Sequence, residues 1–126
     1  MKRTNEVLIV VRRAEEYLVV HRSPENGGYW HQIAGGVEEG ESPAAAAVRE
    51  LHEETRLVAE PAPLPGAFDY DGIHVDCFLA DAPDGWEPTL DWEHDGYRWL
   101  AAADAPAALY WPDTAAALRR LLAIAS

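Results

Sequence analysis

The sequence predicts an α/β or α+β layered domain in which helices pack on a mixed β-sheet. Three observations carry that expectation: β-branched runs at Glu6 to Arg13 and Tyr17 to Arg22, a Ser42-Pro43 pair opening an alanine-rich stretch, and apolar residues at helical spacing after Asp113. With 126 residues the chain has length for one core and not two, so residues 1–126 are expected to form a single domain.

The elements follow in order. Ala14-Glu15-Glu16 separates the first two runs and suggests a hairpin. Ser23 to Gly28 has loop composition, and a short apolar piece from Trp30 to Ala34 leads into paired glycines. Ser42 suits a helix N-cap and Pro43 the first helical position, so a helix is expected to about Thr55. Its apolar stripe reads as Ala44, Ala47, Val48 and Leu51, with Glu50, Glu53 and Glu54 centred about 110° away along the edge of the packed face. Pro61, Pro63 and Pro65 mark a connector that cannot be helical. Phe68 to Tyr70 and Ile73 to Ala80 read as a second hairpin about Asp71-Gly72, followed by a turn-rich loop from Asp81 to Leu90. Gly96 to Leu100 reads as a strand, Asp104 to Leu109 as a helical turn, and the last stretch as a helix capped by Asp113 or Thr114.

Composition narrows the function. Twenty-two acids against ten bases give a formal charge of −12, and residues 66–126 carry 11 acids but only 3 bases. No segment offers the basic footprint that long nucleic acid requires. An anionic substrate is compatible only if metal ions bridge it to the carboxylates. Cys77 is the lone cysteine, which rules out an intrachain disulfide and predicts a reducing, cytoplasmic setting. The apolar run Val7 to Val11 is too short for a signal or membrane segment.

The stretch from Gly35 to Leu57 carries the chemistry. Glu50, Glu53 and Glu54 stand at i, i+3 and i+4, on one helical face, where like charges repel. A solvated acidic face is the bland account of such a run. The paired glycines, Glu41 and Arg49 in register favour a divalent cation among the acids instead. Mg²⁺ wants oxygen ligands and keeps water and phosphate oxygens in its shell. A glycine turn before the helix would let backbone carbonyls of Ala34 or Gly35 approach it. With neither a cysteine nucleophile nor a P-loop signature, attack by an activated water is the economical mechanism.

At these residues the chain resembles the Nudix (MutT-like) hydrolases. The box G-x5-E-x7-R-E-U-x-E-E-x-G-U, with U apolar, maps onto Gly35, Glu41, Arg49, Glu50, Leu51, Glu53, Glu54 and Leu57, with eight of nine positions matched. The resemblance implies an α/β/α sandwich with the mixed sheet between helices. It also implies a small nucleotide-like phosphoanhydride substrate, and Mg²⁺ or Mn²⁺ bound by Glu50, Glu53 and Glu54 with a backbone carbonyl near Gly35. Arg49 would hold the box glutamates, Glu41 would pack the loop–helix corner, and Glu50 or Glu53 would serve as general base. Arg56 departs from the pattern: it stands where the box has its second glycine, at the helix end.

Outside the box, Glu93-His94-Asp95-Gly96-Tyr97-Arg98-Trp99-Leu100 is similar to a stretch of the dinucleoside tetraphosphatases and the dihydroneopterin triphosphate pyrophosphohydrolases. That likeness gives Glu93 a catalytic role, completing the metal site or activating water. Arg22 is a candidate for reaching a phosphate. Trp30 is a candidate for stacking on a base, as are Trp99, Tyr110 and Trp111, with core packing as the alternative for each. Among the five histidines only His94, beside Glu93, stands out. Specificity is expected from Ser23–Tyr29 and Asp81–Leu90. The rival accounts are a nucleotide-binding module of weak catalysis, an isomerase using Cys77, and a messenger-RNA decapping enzyme. The first is disfavoured by the intact glutamates, the second by the distance of Cys77 from the box, and the third by the missing basic surface. A homodimer is expected by analogy alone.

Overall fold

A computed structural model describes residues 4–125. Its strands are β1 (Asn5–Arg13), β2 (Glu16–Arg22), β3 (Trp30–His31), β4 (Ile33–Gly36), β5 (Ala62–Tyr70), β6 (Ile73–Asp81) and β7 (His94–Ala101). The helices are α1 (Pro43–Thr55), α2 (Ala105–Ala108) and α3 (Pro112–Ala125). All seven strands join one mixed sheet: β1 runs parallel to β6 along its length, and the remaining pairings are antiparallel. Among the described residues no helix is long and apolar enough to cross a membrane.

Strand alternation divides the core in two. Val7, Ile9 and Val11 face one side with Ala46, Ala47 and Leu51 of α1. Leu8 and Val10 face the other with Ala115, Leu118, Leu121 and Leu122 of α3. The result is the expected sandwich, and fully burying a residue such as Leu51 or Leu118 contributes roughly 1.5–3 kcal/mol.

The opening in the sheet has a simple origin. β1 and β2 pair only beside their turn, at Arg12↔Tyr17 and Arg13↔Glu16. They then part: β4 pairs with the start of β1 (Glu6↔Gly36 to Ile9↔Ile33), while β2 continues against β7 and β3. The parting places the glycine-rich β4 beside α1.

Several expectations need correction. The proline-rich connector is an edge strand, β5, where missing N–H donors are tolerated. Its register shifts between Leu64 and Phe68, around Gly66, whose φ of +153° and lack of Cβ make room for Leu121. α3 begins at Pro112, and Ala115 N–H donates to the Trp111 carbonyl, so Asp113 and Thr114 lie inside the first turn and do not cap it. The face that α1 buries is Ala46, Ala47, Leu51, Glu54 and Thr55, whereas Ala44 and Val48 are exposed. Four successive alanines carry no preference for one side, so their pattern does not reveal the buried face. Glu50 and Glu54 consequently lie over the sheet instead of along the helix edge.

Candidate active site

A cleft of about 840 Å³ opens where β1 and β2 part. Its lining includes Ala34 and Gly35 from β4, Glu50, Glu53 and Glu54 from α1, and Arg22 and Glu93 from the β2 and β7 ends. The loop that feeds α1 is fixed by the capping expected: Ser42 Oγ accepts the Ala45 N–H at 3.1 Å, and Pro43 takes the first helical position. Gly35 leaves room for the Glu50 carboxylate, which a Cβ there would push aside.

Arg49 organises the acids. Its Nε and Nη2 donate to the two Glu41 carboxylate oxygens at 2.8 and 2.9 Å, and Nη2 also donates to the Gly36 carbonyl at 2.9 Å. Nη1 donates to Glu50 Oε1 at 2.8 Å and to Glu53 Oε2 at 3.4 Å. The Arg49 bonds, with the Glu38 N–H donated to Glu41 Oε1, hold the Glu41 carboxyl down at about 2. The guanidinium thus ties the β4 backbone, the glycine loop and one turn of α1 together.

Glu54 has no such partner. It is buried, and burial together with Glu50, Asp91 and Glu93 drives its pKa well above the ordinary glutamate value. Beside it runs a buried chain: His31 Nε2 and His94 Nε2 are 2.9 Å apart, His94 Nδ1–H donates to Asp91 Oδ1 at 2.6 Å, and His94 Nε2 is 3.8 Å from Glu54 Oε1. Burial, then the neighbouring His94 and Arg22, lowers the His31 pKa to about 3, so this ring is neutral at pH 7. Glu93 is anchored through its carbonyl, which accepts the Ser23 N–H at 2.9 Å, and its carboxylate is 3.7 Å from Arg22 Nη2.

Among the described residues no three acid, histidine or cysteine side chains converge closely enough to form a coordination shell as they stand. The donor set nonetheless fits a hard cation: it is all oxygen, it is strongly acidic, and Glu54 is held in a place where only a cation or a proton relieves it.

Trp30 is not among the cleft residues. It packs with the α3-side core, with Arg98 4.8 Å over its ring. Asp81–Leu90 contributes nothing to the lining either, since Trp86 and Leu90 pack on the α1-side core. Cys77 is buried on the α3 side and outside the cleft, and burial pushes its thiol up to about 11. Trp111, a stacking candidate from the sequence, lines the cleft; sequence reasoning overlooked His31, Gln32, Phe68 and Tyr70, which line it too. A signal existed for His31, which lies an even number of positions before Gly35 and so shares its face.

The family model for the NUDIX domain matches residues 2–121. The chain belongs to that family. An octanoyltransferase of Myxococcus xanthus is 36% identical over 117 residues, covering 85% of this chain and 32% of that protein, so the chain spans about a third of that relative's length. Among solved structures, a C. elegans Ap4A hydrolase binary complex superposes with a TM-score of 0.78 at 24% identity, covering 94% of this chain and 96% of that one. The E. coli dihydroneopterin triphosphate pyrophosphohydrolase gives 0.78 at 21% identity, covering 97% of each chain. These two likenesses are likenesses of fold.

Proposed function

We propose that the chain is a metal-dependent pyrophosphohydrolase that cleaves a phosphoanhydride bond in a small nucleotide-like substrate by attack of water. The substrate class is a nucleoside or pterin triphosphate, or a dinucleoside polyphosphate, in keeping with the names of the two structural neighbours. The observation that carries the reading is the buried Glu54 set among Glu50, Asp91 and Glu93 at the floor of a cleft. Glu50, Glu53 and Glu54, with the backbone at Ala34 and Gly35, would hold Mg²⁺ or Mn²⁺. When bound, the ion supplies charge neutralisation for the pyrophosphate and acidifies water.

The chain's own residues do the remainder. Arg49 fixes Glu50 and leaves Glu53 more loosely held and half-exposed, so Glu53 is the carboxylate free to take a proton from water. Arg22 stands at the rim beside Glu93 and offers its guanidinium to a phosphate. Glu93, beside Arg22 and close enough to Glu54 to raise its pKa, would orient water. Arg49 and Glu41 act through the glutamates as positioning residues. A weakly catalytic binding module is not favoured by any observation here. The lone buried Cys77 suits a reducing, cytosolic setting. Release of phosphate and pyrophosphate is measured over deoxynucleoside triphosphates, dihydroneopterin triphosphate, dinucleoside polyphosphates and ADP-ribose. Turnover is expected with Mg²⁺, none with chelator, and a loss of at least 100-fold in Glu53→Gln. Equal rates for wild type and variant would overturn the assignment.

A further inference from the structure

The cleft continues past the glutamates to the other face of the sheet. Ala34 pairs with Leu8, and Trp30 packs in the same α3-side core as Leu8. Residues 30, 32 and 34 therefore share that face by strand alternation, opposite Ile33 and α1. Gln32 is only 2% exposed, yet it lines the cleft. Its Nε2 donates to the Leu18 carbonyl at 3.2 Å, and because a carbonyl can only accept, that bond fixes which way the amide faces. Oε1 is thereby turned away from Leu18, and among the described residues it is the buried side-chain oxygen with no protein donor.

We propose that Gln32 Oε1 is the specificity-determining acceptor for an exocyclic amine on a planar heterocycle, which makes amino-purines and pterins the substrate class of this site. The inference rests on the pyrophosphohydrolase reading for its use, and on Gln32's geometry for its content. Phe68, Tyr70 and Trp111 supply aromatic surface around this half of the cleft and suit a flat ring better than a sugar. The carboxylates of Glu6, whose Oε1 takes the Tyr70 O–H at 2.6 Å, and of Asp71 and Asp113 add acceptors, beside the Thr114 hydroxyl. Such a wall repels phosphate and rewards N–H. A site built to pair a substrate amine discriminates strongly against the same molecule without it, because the buried acceptor is then left unmatched.

The test uses nucleoside monophosphates, which contain no phosphoanhydride and require neither turnover nor a metal. Calorimetry compares GMP with IMP, and AMP with purine riboside monophosphate, each pair differing only by the amine. In at least one pair the amine-bearing nucleotide is expected to bind the wild type tenfold or more tightly. In Gln32→Leu, or in Gln32→Met should the leucine variant fold poorly by circular dichroism, that ratio falls to about two or less. Ratios below about threefold in both wild-type pairs would overturn the assignment, as would a preference that survives in the variants or the lack of saturable binding by either amine. Absence of turnover on every triphosphate, with the monophosphate ratio intact, would instead overturn the hydrolase reading and leave Gln32 in place.

Discussion

Arg49 holds the candidate site together at the scale of single residues. Its fork engages Glu41 through two nitrogens and reaches Glu50, Glu53 and the Gly36 carbonyl, a geometry that a lysine ammonium cannot reproduce. Arg49→Lys is therefore expected to lower kcat/KM by about 10–100-fold with the fold intact, as loss of a supporting partner of a metal ligand does. The same pair sets an acid limit. The folded Glu41 carboxyl titrates near 2, below its unfolded value near 4.5. Its contribution is complete above pH 4.5 and fades as pH falls towards 2. Denaturation across pH should show wild type and Glu41→Gln converging in that window. Glu54 has the opposite sign. Its folded pKa is raised by burial and by neighbouring acids, so its penalty grows as pH rises above the unfolded value. Glu54→Gln should stabilise the metal-free protein by about 1 kcal/mol at pH 7 and not at pH 4. Unchanged stability at neutral pH would contradict this account. The spacing of Glu41, Arg49, Glu50, Glu53 and Glu54 made these partners legible, because all lie within two turns or one loop. His31, Gln32 and Tyr70 were not legible in this way, since their partners His94, Leu18 and Glu6 come from other strands.

At the scale of elements, α1 shows what a sequence pattern conveys and what it omits. The start at Ser42-Pro43 and the end at Thr55 follow from capping chemistry, which is local. The buried face does not, because an alanine run offers no contrast and because Glu54, an acid that would normally point outward, is among the buried residues. Arg56 ends the helix in the left-handed region at φ +69°, with its N–H donated to the His52 carbonyl at 2.9 Å. The box glycine's geometry is thus kept by a residue that bears its steric cost. Arg56→Gly should raise stability by about 1 kcal/mol in urea denaturation without altering turnover. A destabilised variant would show that the arginine side chain compensates for the strain. β5 carries the complementary lesson: its prolines read as a connector, yet an edge strand accepts them, and it delivers Phe68 and Tyr70 to the cleft.

For the whole molecule, the layered architecture was legible because each layer is written locally as a strand period or a helix period. The cleft was not, because it arises from β1 and β2 pairing only near their turn and from β4 entering the gap. α1 closes one side of that gap and α3 the other, so the acids and the Gln32 pocket are opposite ends of one opening. A cation that binds only the folded arrangement must stabilise it by mass action, roughly 2.7 kcal/mol at a hundred times its dissociation constant. Mg²⁺ should accordingly raise the Tm of the wild type by more than that of Glu54→Gln at the same concentration. Whether the α1 carboxylates grip a divalent ion is read from titration with Mn²⁺ followed by electron paramagnetic resonance. The wild type is predicted to bind Mn²⁺ saturably, with affinity at least tenfold weaker in Glu50→Gln and in Glu54→Gln. Equal affinity in all three proteins would contradict it.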